Sequence, residues 1–200
     1  MRTLKHILIC GFILGNISQI HAGDFKGGLL LGFCASQMDG DGLGGYHKFG
    51  PTGGLFVNRM FSDIWGGQLE IRYNQKGAAY QFSEQSYKAR LNYIEIPLLV
   101  QYKYNKKFKF EVGIQPSVLI GSKVLFNQFE TNPKFSKVDF PLALGVYYAF
   151  NDKLQVGIRG SYSTYPVYGN FKNISQFLYK YDVVMFFNNA FNFVLLYNLK

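Results

Sequence analysis

The feature that most constrains this chain is a strict alternation of short and long connections between segments whose apolar residues recur at every second position. From Val138, one parity reads Val138, Phe140, Leu142, Leu144, Val146, Tyr148 and Phe150; the other reads Asp139, Pro141, Ala143, Gly145, Tyr147 and Ala149. From Leu154, the row Leu154, Val156, Ile158, Gly160 and Tyr162 alternates with Gln155, Gly157, Arg159, Ser161 and Ser163. The same period of two, which is that of a β-strand, organises Trp65–Lys76, Tyr93–Tyr104, Phe108–Gln115 and Phe191–Leu199. Two glycine-rich segments, roughly 25–36 and 52–61, complete a set of eight.

The connections carry independent information. Ser62–Ile64, Asn105–Lys107 and Asn151–Lys153 are three residues each, whereas 37–51, 78–90, 121–137 and 166–188 are long. In an up-and-down sheet this order places every short turn, with both termini, at one end. Short turns opposite long loops characterise outer-membrane barrels. In hydrocarbon no water satisfies backbone N–H and C=O groups, so only a helix or a closed sheet can span it. No segment after the N-terminal region offers 18 consecutive apolar residues for a helix. The expected fold is therefore all-β: an eight-stranded antiparallel up-and-down transmembrane β-barrel.

Composition agrees: 20 Phe, 15 Tyr and 22 Gly accompany a charged fraction of 16%, below the usual quarter. Phe61, Trp65, Tyr104, Phe108 and Phe150 fall near the short-turn end, and Phe140, Tyr162, Tyr165 and Phe191 near the other, as interfacial aromatic girdles require. The N-terminus reads as an export signal: Arg2, Lys5 and His6, an apolar run Ile7–Ile13, then polar residues leading to Ala22. The expected division is a signal peptide at 1–22 and an outer-membrane barrel domain at 23–200, with both termini periplasmic. Losing Arg2 and Lys5 lowers the net charge from +9 to +7 and leaves Cys34 as the lone cysteine, so no internal disulfide is expected.

Four segments then resemble a known family: Gln37-Met-Asp-Gly-Asp-Gly42, Gly54-Leu-Phe-Val-Asn58, Tyr73-Asn-Gln-Lys-Gly77 and Leu91-Asn-Tyr-Ile-Glu-Ile-Pro-Leu-Leu99. They are similar to the PorT-type family of small outer-membrane barrels, with the Tyr-x-Glu-Ile-Pro-Leu block the most specific. The resemblance implies an eight-stranded barrel in a Gram-negative outer membrane. It also implies, from some relatives, a link to a secretion system.

The inward parity is expected to carry a polar network of Glu70, Arg72, Lys76, Glu95, Glu111, Asp139 and Arg159. Eight strands leave an interior just wide enough for side chains to fill, and charges there must be paired. Arg72 and Arg159 are expected to pair with Glu70, Glu95 or Asp139 through their guanidinium forks. The bland reading is a structural plug and the sharper one a narrow ion path; the plug is favoured. Glu95-Ile-Pro97-Leu98 and Asp139-Phe-Pro141-Leu142 each place a carboxylate and a proline inward, and local bulges are expected there.

Outside, Lys88, Arg90, Lys172 and Lys180 lie among aromatics in long connections. They are expected to face outer-membrane lipid, lipopolysaccharide phosphates included, or a protein partner; solvated loops are the plainer alternative. Asp39-Gly-Asp41-Gly-Leu43 departs from a calcium loop because Leu43 stands where an oxygen ligand is needed. His47, the one histidine after residue 22, would have to serve any hydrolase on the rim, with Ser36 or Ser86 beside it. No catalytic residue, metal, cofactor or nucleic-acid partner is expected, and the barrel is expected to be monomeric. The leading function is a non-enzymatic structural or interaction protein, an accessory to protein secretion among the options. A membrane-embedded lipid hydrolase or acyltransferase, and a soluble lipocalin-like binder with its apolar row inward, are the alternatives.

Overall fold

A computed structural model describes residues 25–40, 44–82, 85–127, 129–131, 133–169 and 185–199. Twelve strands are formed: β1 (Lys26–Asp39), β2 (Lys48–Met60), β3 (Trp65–Phe82), β4 (Gln85–Glu95), β5 (Leu98–Lys103), β6 (Phe108–Ile114), β7 (Ser117–Phe126), β8 (Phe129–Thr131), β9 (Val138–Asp139), β10 (Pro141–Ala149), β11 (Leu154–Ser163) and β12 (Phe187–Asn198). They compose eight staves: β4–β5, β6–β7 and β9–β10 are each one crossing interrupted by one or two residues, and β8, paired with β7 ahead of β9, opens the stave that β9 and β10 continue. Every pairing is antiparallel, and the ring closes through β1 against β12 and β2 against β3. Closure matters physically: no unpaired edge is left to hydrocarbon.

The three short turns are built alike. The first residue of each lends a side-chain oxygen to the N–H groups two and three residues on, the usual way Asn and Ser nucleate turns. Asn105 Oδ1 accepts from Lys107 N and Phe108 N at 2.8 Å each. Asn151 Oδ1 accepts from Lys153 N at 2.9 Å and Leu154 N at 2.8 Å. Ser62 Oγ accepts from Trp65 N at 3.0 Å and, more weakly, from Ile64 N.

The apolar parity faces out and the polar parity in. Phe140 (50%), Leu142 (58%) and Ile158 (43%) are exposed, whereas Arg72 and Arg159 are buried. This arrangement overturns the lipocalin-like alternative, which requires the reverse. The outward row of β10 and its neighbours runs from Phe140 to Phe150, about the 9–11 residues that a tilted strand needs to cross a bilayer. At the short-turn end the aromatic rings touch: Trp65–Tyr102 at 5.0 Å, Phe108–Tyr148 at 5.3 Å and Tyr148–Phe150 at 5.3 Å.

Two expectations are corrected. The connections 78–90 and 121–137 are largely strand: β3 and β4 pair out to Phe82↔Gln85, and β7 turns into β8 after Asn127, whose φ is +46°. Past the bilayer both faces of a strand meet water or other protein, so the two-residue hydrophobicity period fades while the hydrogen-bond ladder continues. Gly77 marks this departure, with φ at +140° and the Ala89 carbonyl so close that a Cβ would strike it. Residues 170–184, within the last long connection, lie outside the described residues.

Neither Pro97 nor Pro141 produces a register-shifting bulge. Pairing of β3 runs in one register through Arg72↔Glu95 and Leu69↔Leu98, on both sides of Pro97. The shift that occurs lies between Asn92 and Tyr93, opposite Gly121 and Leu119. Instead the prolines break the ladder by omission. Pro97, Pro116 and Pro141 each accept a hydrogen bond, from Glu70 N, Ile96 N and Gln115 N at 3.0, 2.8 and 2.8 Å, but have no N–H to return. At Gln115 the missing donor is replaced by Ser117 Oγ, 2.7 Å from the Gln115 carbonyl.

Candidate functional site

The polar side chains gathered in the lumen form one dense layer at mid-height. Arg159, from β11, donates through Nη1 and Nη2 to the two carboxylate oxygens of Glu70 at 2.8 and 2.7 Å. Its Nε donates to Glu111 at 2.5 Å and its Nη2 to the Tyr147 hydroxyl at 3.0 Å. Arg72 donates through Nε to Glu95 and through Nη2 to Gln115 Oε1, at 2.8 and 2.9 Å, with Nη1 3.8 Å from Glu70. Lys76 Nζ completes the pairing of Glu95 at 2.6 Å and stands 5.4 Å from the centre of the Tyr93 ring. Asn74 bridges Glu95 to Asn192 across the barrel. Gln101 and Gln68 relay a second line of amide bonds to Glu70.

Of the seven residues expected in the lumen, all are buried and six share ion pairs. Asp139 differs from expectation. Its partners are neutral donors, Ser163 Oγ at 2.9 Å and Asn188 Nδ2 at 3.0 Å, and among the described residues it has no salt bridge. Asp139 projects from β9 beside the upper strand ends, where Ser163 and Asn188 stand closer than either arginine. Glu111, rather than Asp139, takes the second bond of Arg159.

Apolar clusters flank the charged layer. Toward the short turns lie Leu30, Phe56, Tyr147, Val194 and Leu196; toward the long loops lie Met38, Ala78, Ala89, Leu91, Tyr93 and Val124. Parity places Tyr147 on the inward row, but the expected inward set named only charged residues. The signal of the inward apolar residues was Leu30, Val194 and Leu196 standing in rows otherwise made of Gly, Asn and Ser. One buried residue, Lys48, and one half-buried residue, Lys109, also lie outside the expected polar network. Lys48 reaches Phe49 O at 2.6 Å and Gln75 Oε1 at 3.0 Å, and Lys109 sits 5.0 Å from the Tyr147 ring centre.

At the opposite rim, Lys88 and Arg90 are exposed on β4 itself rather than on a loop. Arg90 is the cross-strand neighbour of Lys123 on β7, whose ammonium pairs with Glu130 at 2.9 Å. A concavity of about 700 Å³ opens here, lined by His47, Lys48, Phe49, Tyr80, Tyr87 and Lys88 among others. Lys172, Lys180 and Asp41 lie outside the described residues. Asp39 accepts from the amides of Gln37 and Asn189. Ser36 Oγ donates to the carbonyls of Gly77 (3.0 Å) and Lys48 (3.3 Å), while His47 is exposed. The hydroxyl is thus directed to backbone rather than to an imidazole.

A closed antiparallel sheet with a charged, hydrogen-bonded interior, a greasy exterior and aromatic belts defines a membrane-spanning β-barrel protein. The model of the outer-membrane protein β-barrel domain family matches residues 17–167, so the chain belongs to that family. Among solved structures, the chain is similar in fold to Ail, the attachment invasion locus protein of Yersinia pestis. Identity there is 13% and the TM-score 0.50, over 88% of this chain and 99% of that one. It is likewise similar to Neisserial surface protein A, at 11% identity and a TM-score of 0.50, over 86% and 96% of the two chains. No curated protein sequence matches. The protein is an outer-membrane β-barrel.

Proposed function

We propose that this barrel is a non-enzymatic, non-conducting scaffold whose outer rim is its interaction surface. The observation that carries the reading is the middle layer of the lumen. Glu70, Arg72, Lys76, Glu95, Glu111 and Arg159 are each no more than 2% exposed and hold one another by direct bonds, with apolar clusters above and below. A path for ions would need mobile water beside those charges; here each of the six makes at least one direct bond to another, although Arg72 Nη1 and Glu111 Oε2 have no hydrogen-bond partner. The addressable polar surface is then the rim, where Lys88, Arg90 and Lys123 crown the β4–β7 wall beside the 700 Å³ concavity. Cations at that level suit lipopolysaccharide phosphates or an acidic face of a protein partner.

The signal peptide at 1–22, the periplasmic placement of both termini and the PorT-type affinity belong to this reading. They rest on the basic and apolar N-terminus, the short-turn geometry and the Tyr93-Ile-Glu-Ile-Pro-Leu98 block respectively. An accessory role in protein secretion follows from the last of these. The decisive experiment is reconstitution of the purified, folded protein in planar bilayers, paired with lipopolysaccharide binding by the double variant Lys88→Glu/Arg90→Glu. The reading expects no discrete conductance steps and a loss of binding of roughly fivefold or more. Reproducible single-channel steps, or binding that ignores the charge reversal, would reject it.

A further inference from the structure

The short-turn end of the barrel carries its own concentration of positive charge. Seven basic residues, Lys26, Arg59, Lys103, Lys106, Lys107, Lys109 and Lys153, face two acids, Asp63 and Asp152, among the described residues there. Within the ring of turns lies a concavity of about 490 Å³, lined by Lys103, Lys106, Lys107, Lys109 and the amides of Asn105 and Asn151 among others. Phe108 closes one side of it. Phe108 also lines a second, separate concavity of about 510 Å³ on the outer wall of the barrel. That one is almost wholly apolar. Its floor is Val146, Val156 and Ile158, and its walls are Phe108 with Tyr148 on one side and Phe33 with Phe193 on the other. The last two rings stack at 4.8 Å, and the Phe108 and Tyr148 rings meet at 5.3 Å. Short branched side chains between tall aromatic ones make the groove. Lys107 joins the two concavities: it belongs to the first, and its ammonium stands 5.9 Å from the Tyr148 ring centre on the border of the second.

We propose that these linked concavities are one binding site for an anionic phospholipid of the leaflet at the short-turn end, phosphate on the lysines and an acyl chain in the groove. One feature favours phosphate as the anion, and a second favours a lipid over a free ion. A lysine ammonium is a point charge that binds phosphate without demanding the planar fork of a carboxylate. And the charged site does not stand alone: it shares Phe108 with an apolar groove that ascends from it between aromatic walls, as head and tail of one molecule would require. Lys106 and Lys107 sit on an exposed turn, so they meet a headgroup with no rearrangement of the sheet. The site requires only insertion in the membrane and is independent of what the opposite rim binds.

The test is native mass spectrometry of the folded barrel released from nanodiscs of equal phosphatidylglycerol and phosphatidylcholine. Three variants are compared: Lys106→Gln/Lys107→Gln, the groove-filling Val156→Trp, and, as a control, Lys134→Gln/Lys137→Gln, two exposed lysines that belong to neither rim site. The proposal expects retained phosphatidylglycerol to exceed phosphatidylcholine in the wild type, with about fivefold loss per lysine removed. It expects a comparable loss on filling the groove and none in the control. Heat-modifiability on a gel confirms that each variant is folded. Equal retention of the two lipids would overturn the proposal. So would retention untouched by Val156→Trp, or inorganic pyrophosphate competing away a signal that depends on the lysines alone; either result would mean a headgroup anion site without a lipid tail.

Discussion

Replacing Arg159 by methionine tests how much the buried ion pairs of the lumen hold the barrel together. The side chain is fully buried and makes four hydrogen bonds, two to Glu70, one to Glu111 and one to Tyr147. Methionine fills much of the volume but strands the carboxylates unequally. Glu70 keeps Gln68 at 2.5 Å and the more distant Arg72, whereas Arg159 is the one ion-pair partner of Glu111 among the described residues. Breaking a buried pair by removing one partner costs about 3–5 kcal/mol, or roughly 2–4 decades in the folding constant. Neutralising the stranded acids should return most of it, because a buried ion cluster replaced as a unit is often neutral in energy. Arg159→Met/Glu111→Gln is expected to recover more than half the loss, and adding Glu70→Gln to recover still more. The assay is urea titration of folding into lipid vesicles, read by tryptophan fluorescence and by the heat-modifiable band. A single variant within 1 kcal/mol of wild type would show that water reaches the layer. A triple variant no better than the single would show that the arginine acts by shape instead of charge.

Other perturbations probe the walls. Ser117→Ala removes the hydroxyl that serves the Gln115 carbonyl opposite Pro141; a cost of about 1 kcal/mol is expected in the same titration, and Pro141→Ala, by restoring a backbone N–H, should erase the effect of Ser117→Ala. Gly157→Val is expected to cost about 1–3 kcal/mol, because a Cβ there meets the Tyr147 ring and would push its hydroxyl off Arg159; an unchanged urea midpoint would contradict that packing. Cys34 is fully buried and unpaired, so a polar maleimide should label it in urea but leave it unlabelled in the folded barrel, as mass shift reports.

How much of this could be read in advance differed along each stave. Within the bilayer, lipid outside and a polar cluster inside impose opposite demands on successive residues, so Phe140, Leu142, Leu144 against Asp139, Ala143, Gly145 declared their faces openly. Above it that contrast vanishes. Ala78, Ala89 and Leu91 pack inward against Met38 while Lys88 and Arg90 face out; with glycine and alanine on both rows, strand could not be told from loop. Within the lumen the seven charges were legible by parity, and so were Glu70 and Glu95 as partners of the arginines; that Glu111 rather than Asp139 takes the remaining bond was not. Which carboxylate meets Arg159 depends on the stagger between β11, β10 and β6: Arg159 lies opposite Gly145 and Gly145 opposite Glu111. The missing side chain at Gly145 is what lets the arginine and glutamate meet across an intervening strand. The proline row escaped for a similar reason. A lone proline in a strand suggests distortion, whereas Pro97, Pro116 and Pro141 on three consecutive staves keep a common register and each omits one bond.

The disposition of charge then bears on where the protein can act. Four buried acids, Glu70, Glu95, Glu111 and Asp139, are set against four buried cations, Lys48, Arg72, Lys76 and Arg159, so the interior is close to neutral among the described residues. Among the described residues the positive excess therefore lies at the two ends, on Lys88, Arg90 and Lys123 at one and on the lysine-rich turns at the other. A barrel selected only to persist in a membrane has no use for such asymmetry, since both rims could be dressed with neutral amides at no cost to closure or packing. Charges held at the two interfaces, separated by a layer of buried ion pairs, stand at the level of the headgroups on either side. Moving Lys106 and Lys107 into the lumen would ruin the pairing of Glu70 and Glu95; leaving them on the turn costs the fold nothing and keeps them available to a ligand.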